Sequence, residues 1–288
     1  MSAPLSERAF AKINLTLRVL GRRADGYHEL ESLVAFADVA DTLTLEPGST
    51  DGLEMSGPFA GKSGPVDDNL VLKSLAELRR RVAGLKGGRF RLEKNLPVAA
   101  GIGGGSADAA AALRLLAKAN GIALDDTSLM AAAQAIGADV PVCLDSRPRI
   151  MRGIGEALSE PLGLVPIPAV LVNPGVALVT RAVFEKFKGA HLSAGLADVA
   201  TKAGALIDLL KQQDNDLTDA ATACAPVVGQ VLAALRATQG SALVRMSGSG
   251  ATCFALFDSR DEAEVAAQRL GSEHKNWWVR ATEIGAVG

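Results

Sequence analysis

The segment from residue 96 to residue 108 says most about the fold. It reads Leu96-Pro97-Val98-Ala99-Ala100-Gly101-Ile102-Gly103-Gly104-Gly105-Ser106-Ala107-Asp108. Its four closely spaced glycines allow the backbone to adopt positive φ and to approach a ligand closely. The alanine-rich sequence that follows predicts a helix over 106–120, closed by Gly121. A glycine loop that enters a helix offers free N–H groups and the positive end of the helix dipole, which suits a phosphate chain.

Two common phosphate-binding motifs do not fit this loop. A Walker A loop requires Gly-Lys-Ser/Thr after its spacer, and no lysine follows the glycines here. The dinucleotide fingerprint requires Gly or Ala where Ser106 stands, if counting starts at Gly101. The HRD and DFG elements of protein kinases are also missing from the sequence. Taken alone, the loop is equally compatible with a flexible turn that merely connects a strand to the helix.

Outward from the loop, the first half of the chain has an α+β pattern. Polar and apolar residues alternate over 10–19, which predicts a strand with Lys12 and Asn14 together on its polar face. Strand character also occurs at 30–36 and 41–46, and 89–93 alternates like a strand. Apolar spacing predicts helices over 70–82 and 128–136. We therefore expect sheet strands together with at least one long, buried, alanine-faced helix.

Prolines at 161, 166, 168 and 174 predict a domain boundary, so we expect an N-terminal domain over 1–158 and a C-terminal domain over 159–288. In the second half, strands are predicted at 169–173, 242–246, 253–257 and 278–282. Helices are predicted at 180–187, 197–211, 226–238 and 261–270. The closing order of two strands, a helix and a strand predicts a small open-faced sandwich.

The composition is that of an ordinary globular chain, with 288 residues, 48% hydrophobic and 22% charged. A net charge of −2 gives no broad electrostatic footprint, so we expect neither a nucleic acid nor a membrane as partner. Cys143, Cys224 and Cys253 lack the spacing of a zinc or iron–sulfur site and fit a reducing compartment. Without a signal peptide or a long apolar run, the sequence predicts a cytoplasmic protein, as a monomer or weak homodimer.

Four motifs together resemble the GHMP family of small-molecule kinases. The loop from Pro97 to Ser106 follows the family pattern Pro-x3-Gly-Leu/Ile-Gly-Ser/Gly-Ser/Gly-Ser. The other three are Ala11-Lys12-Ile13-Asn14-Leu15 with Gly26-Tyr27-His28-Glu29-Leu30, then Gly137-Ala138-Asp139-Val140-Pro141, and Gly248-Ser249-Gly250-Ala251-Thr252. Each motif alone is weak, but four in family order across nearly the whole chain are specific.

The resemblance implies an α+β, GHMP-kinase-like two-domain fold. An N-terminal sheet-and-helix domain would carry the Gly-rich phosphate loop, and a C-terminal open-faced α/β sandwich would complete the substrate site. The implied reaction is transfer of phosphate from ATP, with Mg²⁺, to the 2-hydroxyl of an acceptor that carries a cytidine diphosphate group. Enzymes of this branch act in the non-mevalonate isoprenoid pathway.

The resemblance also implies individual site residues. Asp139 would be the catalytic base, and Lys12 would lie beside it and stabilise developing alkoxide charge. Taken alone, Asp139 would be interpreted as a helix cap and Lys12 as a solvated lysine. The implied ATP-binding residues are Pro97, Val98, Ala99, Ala100, Gly101, Ile102, Gly103, Gly104, Gly105, Ser106 and Ala107. The implied substrate-binding residues are Asn14, Tyr27, His28, Thr180, Phe184 and Gly248.

Within that substrate site, Tyr27 and Phe184 would sandwich a cytosine, and His28 would bond to its edge. Ser106 is the candidate Mg²⁺ ligand. The sequence departs from the family pattern at Ala107, where a second serine is frequent, and at Ala100, where a larger residue is frequent. A cradle of backbone N–H groups does not depend on either side chain.

Two other functions remain open from sequence. One is a GHMP kinase of the homoserine or mevalonate type, and the other is a GHMP fold retained as a non-catalytic ligand-binding module. The Gly26-Tyr27-His28 motif favours the cytidyl branch over the other kinases. Intact Lys12, Asp139 and loop glycines argue against a non-catalytic module.

Overall fold

The computed structural model of the chain describes residues 3–189 and 203–287. It divides into two compact units that interleave along the sequence. The first unit consists of Met1–Ala11, Ala40–Val98 and Gly103–Asp145, and the second of Lys12–Val39, Ala99–Ile102 and Ser146–Gly288. These units differ from the predicted domains 1–158 and 159–288, whose boundary stays a prediction.

Strands and helices are mixed along the chain, which confirms the predicted α+β class. The strands are β1 (Leu5–Asn14), β2 (Arg18–Arg22), β3 (His28–Pro47), β4 (Gly52–Ser56), β5 (Gly88–Glu93), β6 (Arg149–Gly153), β7 (Ala157–Leu158), β8 (Ile167–Asn173), β9 (Leu243–Met246), β10 (Cys253–Leu256) and β11 (Trp278–Gly285). The helices are α1 (Leu70–Arg81), α2 (Gly104–Asn120), α3 (Thr127–Ile136), α4 (Val140–Asp145), α5 (Thr180–Lys186), α6 (Ala203–Lys211), α7 (Thr218–Cys224), α8 (Val227–Arg236) and α9 (Arg260–Glu273). Within the described ranges, none of these helices is long and apolar enough to span a bilayer.

The sheet of the first unit follows the predicted alternation. In β5, Phe90 and Leu92 are buried, whereas Arg89, Arg91 and Glu93 are exposed. β5 pairs antiparallel with the second half of β3 and parallel with β4. One face of this small sheet is therefore apolar and packs inward, while the other carries charge into the solvent.

The alanine-rich helix α2 packs against α1, α3 and α4 within the first unit. Its residues Ala109–Ala112 are all buried, and such small side chains let neighbouring helices approach from several sides. The helix begins at Gly104, two residues before the predicted start, because Gly103 adopts the left-handed conformation at the N-cap with φ 62°. It ends at Gly121 with φ 67°, as predicted.

The C-terminal part of the second unit contains an antiparallel sheet in the order β11–β8–β10–β9. Side chains of α8 and α9, such as Val231 and Leu270, share one apolar core with Val170 and Val172 of β8. Sequence analysis missed α7, because its seven residues carry no clear apolar period. Of the helix predicted over 197–211, the part from Ala203 is present as α6, and residues 197–202 lie outside the described residues.

The strand predicted over 10–19 is interrupted in the structure. β1 ends at Asn14 and β2 begins at Arg18, and between them Leu17 forms an isolated bridge with Asn215. The polar face is buried as well as the apolar one, since Lys12, Asn14 and Arg18 all lie in the interior. Alternation identified the faces correctly but could not show that tertiary contacts cover both of them.

We predict that Asp126→Ala lowers the free energy of unfolding by about 1 kcal/mol in urea denaturation, because it removes a helix cap. Oδ1 of Asp126 accepts a hydrogen bond from the N–H of Ser128 at 2.7 Å, in the first turn of α3. Asp125→Ala is the matched control, since this exposed neighbour lies outside the cap; it should shift stability by less than about 0.5 kcal/mol. Equal losses in the two variants would contradict the capping role.

Candidate active site

All four carbonyl groups of residues 99–102 in the glycine loop accept hydrogen bonds from elsewhere in the second unit. In loop order, the donors are the N–H of Leu178 (3.2 Å), the N–H of Thr252 (3.0 Å), the hydroxyl of Ser247 (2.9 Å) and the N–H of Lys12 (2.9 Å). In a trans peptide unit the N–H points opposite to the carbonyl. The N–H groups from Ala100 to Gly103 therefore point away from these donors. Such a row of N–H groups fits an anionic, oxygen-rich ligand.

Gly101 and Gly248 are required because two stretches of backbone touch at this point. A Cβ built on Gly101 would lie 2.4 Å from the carbonyl oxygen of Ser247 and 2.7 Å from that of Gly250. A Cβ built on Gly248 would lie 2.7 Å from the carbonyl oxygen of Gly101. Both glycines also have positive φ, +74° and +56° respectively. The predicted site residue Gly248 is thus a backbone contact of the loop.

The remainder of the loop lies at the start of α2 in the first unit. Gly104, Gly105 and Ser106 form the first turn of this helix, where N–H groups have no partner within the helix. The helix dipole adds positive potential at the same end. The side chain of Ser106 is partly exposed, whereas Ala107 is buried. A hydroxyl and several N–H groups are therefore available at this helix terminus.

Lys12 and Asn14 lie at the end of β1, in the second unit. Lys12 is only 4% exposed, which excludes the interpretation as an ordinary solvated lysine. Nδ2 of Asn14 donates to the hydroxyl of Ser32 at 2.7 Å, and its buried Oδ1 has no hydrogen-bond partner among the described residues. Because a buried unpaired oxygen is costly, Asn14 offers an acceptor to a ligand.

Ser247 joins this strand to the loop, and sequence analysis missed it. Its hydroxyl oxygen accepts a hydrogen bond from the N–H of Asn14 at 3.0 Å and donates to the carbonyl of Gly101 at 2.9 Å. One side chain thus links the end of β1 to the glycine loop. Its position directly before the Gly248 motif was the available signal.

Asn215 is a second residue that sequence analysis missed. Its Nδ2 donates to the carbonyls of Met246 and Gly248, both at 2.8 Å, and so holds the turn that follows β9. The predicted Thr180 reaches the same turn, since its hydroxyl lies 2.9 Å from that of Ser249. The triplet Asp-Asn-Asp at 214–216, between two helical stretches, was the signal for Asn215.

The structure brings His28 and Phe184 together in the second unit. Their rings stack with centroids 4.8 Å apart and planes inclined by 23°. Phe187 contacts the same imidazole edge-on at 6.2 Å. Burial, together with the positive charge of Arg22, lowers the pKa of His28 below its ordinary value, so the imidazole is neutral at pH 7. Its neighbour in the chain, Tyr27, is 62% exposed.

Asp139 lies in the turn that leads into α4, in the first unit. The N–H of Val140 bonds to the carbonyl of Gly137 at 3.0 Å and closes that turn. Asp139 is partly exposed. Asp139 and Lys12 belong to different units, and their pairing stays a prediction.

Comparison with known protein families gives two matches. The model of the GHMP kinases N terminal domain matches residues 69–147, and the model of the GHMP kinases C terminal domain matches residues 199–276. Among relatives, a 4-diphosphocytidyl-2-C-methyl-D-erythritol kinase of Methylorubrum extorquens is 55% identical over 97% of this chain and 99% of its own length. The enzyme of the same name from a Bradyrhizobium species is 53% identical over 97% of this chain and 96% of its own.

Solved structures give the same result. A crystal structure of 4-(cytidine 5'-diphospho)-2C-methyl-D-erythritol kinase shares 34% identity and a TM-score of 0.81, covering 98% of this chain and 100% of that one. The homoserine kinase from Cytophaga hutchinsonii has a TM-score of 0.74 at 20% identity, covering 100% of this chain and 97% of that one. At that identity the second match supports the fold alone.

We predict that Gly101→Ala lowers the melting temperature more than Gly121→Ala. Both glycines have positive φ, so both alanines carry conformational strain of about 1 kcal/mol. Only at Gly101 would the new methyl group also collide with backbone, since nothing lies within 4 Å of a Cβ at Gly121. Equal shifts in a thermal unfolding experiment would show that the loop does not pack against the 247–250 turn.

Proposed function

Because the chain belongs to the GHMP kinase family, among the 4-diphosphocytidyl-2-C-methyl-D-erythritol kinases, we propose that it phosphorylates the 2-hydroxyl of 4-diphosphocytidyl-2-C-methyl-D-erythritol. ATP is the phosphate donor, and the products are ADP and the 2-phosphate. This reaction is a step of the non-mevalonate pathway to isopentenyl diphosphate. The observation that carries the proposal is the glycine loop, whose carbonyls from Ala99 to Ile102 are all bonded on one side.

ATP binds through backbone rather than through cationic side chains. The N–H groups from Ala100 to Gly103 and those of the first turn of α2 face the triphosphate, and the helix dipole adds attraction. Ala107 in place of a second serine removes one hydroxyl but leaves every N–H in place. Pro97 and Val98 lead the chain into the loop without supplying charge.

Mg²⁺ enters with the nucleotide and offsets the charge of the phosphates. Within the described ranges, no group of three or more His, Cys, Asp and Glu side chains forms a preformed metal site. A cation that keeps most of its ligands as phosphate oxygens and waters needs few protein ligands. The partly exposed hydroxyl of Ser106, at the N-terminus of α2, fits that limited requirement.

The oxygen of the substrate's 2-hydroxyl attacks the γ-phosphorus of ATP, and Asp139 accepts the proton of that hydroxyl. The bond between the γ-phosphorus and the oxygen of ADP breaks at the same time. The ammonium of Lys12 stabilises the negative charge that develops on the attacking oxygen. Burial makes this charge effective, because Lys12 is shielded from bulk water. These two roles complete a transfer in which no covalent intermediate with the protein forms.

Tyr27, Phe184 and His28 bind the cytosine. Tyr27 is exposed, and one face of the Phe184 ring is stacked on the imidazole of His28. A cytosine between Tyr27 and Phe184 takes the place of that imidazole on the Phe184 ring. The neutral imidazole of His28 can donate and accept hydrogen bonds at the edge of the base. Asn14 and Thr180 offer polar groups to the rest of the acceptor.

A panel of acceptor alcohols distinguishes this function from its rivals. We expect ATP consumption with the cytidyl substrate and very little with homoserine, mevalonate or methylerythritol 4-phosphate. Equal use of methylerythritol 4-phosphate would show that the cytidine group is not recognised. No ATP consumption with any acceptor would favour a non-catalytic ligand-binding module. Cytoplasmic location and a monomeric or weakly dimeric state stay predictions.

We predict that Asp139→Asn lowers kcat by about 10²- to 10⁴-fold, the usual contribution of a positioned general base. The amide keeps the shape of the carboxylate but cannot accept the proton, so the KM for ATP should change little. Asp145→Asn, at the other end of the short helix α4, is the matched control and should keep wild-type kcat. Near-wild-type turnover of a folded Asp139→Asn enzyme would remove Asp139 from the mechanism.

We predict that Tyr27→Ala raises the KM for the cytidyl substrate by about ten- to a hundredfold and leaves the KM for ATP unchanged. Stacking on an aromatic ring contributes about 1–3 kcal/mol per base. The turn that carries Tyr27 is held by backbone, since the N–H of Arg23 bonds to its carbonyl at 2.7 Å, so the variant should fold normally.

The control for this measurement is Leu124→Ala, which removes an apolar side chain that is 61% exposed in the first unit. It should leave both KM values unchanged. If both variants behaved alike, Tyr27 would have no part in substrate binding. His28→Ala should raise the KM for the cytidyl substrate as Tyr27→Ala does, because it removes the group that bonds to the edge of the base.

A further inference from the structure

A buried ionic cluster lies in the first unit, and none of its members has a role in the function described above. Lys94 donates to Oδ2 of Asp41 and, at 2.7 Å, to Oδ2 of Asp108. All three side chains are buried. Buried ion clusters of this kind are weak contributors to stability, because desolvation offsets most of the attraction. A contribution to stability alone therefore does not explain this cluster.

Two of the three residues, Lys94 and Asp108, stand at the two ends of the phosphate loop, and Asp41 lies in β3. Lys94 follows β5 and precedes Pro97, where the chain enters the loop, and Asp108 lies in the second turn of α2, where the chain leaves it. The two ends also pack directly, since a Cβ on Gly104 would lie 3.7 Å from Cβ of Leu96 and 3.8 Å from Nζ of Lys94.

The side chain of Asp41 holds the backbone of the segment that enters the loop. Oδ1 of Asp41 accepts hydrogen bonds from the N–H groups of Asn95 (2.5 Å) and Leu96 (2.8 Å), the last residues before Pro97. The N–H of Lys94 bonds to the carbonyl of Ser56 at 2.8 Å, so its backbone is held as well. The entering end is thus tied to β3 and β4 before the side chain of Lys94 reaches α2.

We propose that Lys94, Asp41 and Asp108 form a clamp that sets the spacing between the two ends of the phosphate loop, and that Asp108 is the positioning residue that ties α2 into it. This proposal rests on the proposed function in one respect, the binding of ATP phosphates by the loop. The clamp touches no substrate. It acts by preorganising the N–H groups, so that less ordering accompanies nucleotide binding.

Charge in the cluster is consistent with this role. Burial raises the pKa of Asp108 to about 8, against the opposing effect of Lys94. Burial lowers the pKa of Lys94, but the two carboxylates outweigh it and hold that pKa above its usual value. With its pKa raised in this way, Asp108 can keep its proton at neutral pH while its Oδ2 still accepts the hydrogen bond from Lys94.

The test compares Asp108→Ala with Asp108→Asn. Alanine removes the link to Lys94, and we expect the Kd for a non-hydrolysable ATP analogue and the KM for ATP to rise about tenfold, as for a lost charged hydrogen bond. The KM for the cytidyl substrate should stay unchanged. Asparagine keeps an oxygen for Lys94 without a charge, like the protonated acid, and should bring the Kd back to within about twofold of wild type.

Ser74→Ala is the matched structural control. The buried hydroxyl of Ser74 bonds to the carbonyls of Leu70 (2.7 Å) and Ala109 (3.3 Å), so its loss weakens the α1–α2 contact next to Asp108 without touching the clamp. It should lower stability and leave the Kd for the ATP analogue unchanged. If the Kd rose equally in Ser74→Ala and Asp108→Ala, any weakening of α2 packing would impair nucleotide binding, and the clamp proposal would be wrong.

A measurement on the wild-type chain covers the case in which Asp108→Ala does not fold. By hydrogen exchange without nucleotide, the amides of Asn95 and Leu96 should already be protected, because Asp41 holds them. Rapid exchange at these amides would overturn the clamp. Failure of the proposed function has a different signature, namely no binding of the ATP analogue to the wild-type protein. A folded Asp108→Ala protein with wild-type affinity would overturn the clamp alone.

Discussion

The pairing of four consecutive carbonyl groups, from residue 99 to residue 102, is the constraint on which the site depends. A peptide unit offers one acceptor and one donor on opposite sides, so binding the acceptors internally turns the donors outward. The phosphate recognition that we propose for this loop needs no lysine in it. It needs four hydrogen-bond donors that reach the loop carbonyls from elsewhere in the chain. These donors come from the end of β1, the segment before α5 and the region between β9 and β10.

This constraint explains several residue choices that have no chemistry of their own. Gly101 and Gly248 face each other because two backbones meet without room for a Cβ. Ser247 is a small hydroxyl because it must accept from Asn14 and donate to Gly101 over a short distance. Asn215 holds the turn by bonding to carbonyls on both sides of Ser247. All four residues act on the shape of the loop and of the turn beside it.

The sequence allowed the local parts to be predicted. The glycine loop, the helix that follows it and the alternation of β5 all depend on neighbouring residues, and each was identified to within a few positions. The short helix α4, which begins at Val140 inside the motif Gly137–Pro141, was not predicted. What could not be predicted depends on distant residues: the burial of Lys12, the partners of the loop carbonyls and the cluster around Lys94. In sequence, Lys94 is one charged residue at the end of a strand, and nothing nearby indicates that Asp41 and Asp108 meet it.

The hydrogen bonds of the loop also determine when the site can form during synthesis. Ser247 and Gly101 are 146 residues apart, and Asn14 and Ser247 are 233 residues apart. Contacts of such long sequence separation form late and slowly in folding. A ribosome adds about 5–20 residues per second, so the loop of a nascent chain waits many seconds for its C-terminal partners. The secondary structure around the loop can form early, but the loop carbonyls acquire their last partners only when the turn after β9 has emerged.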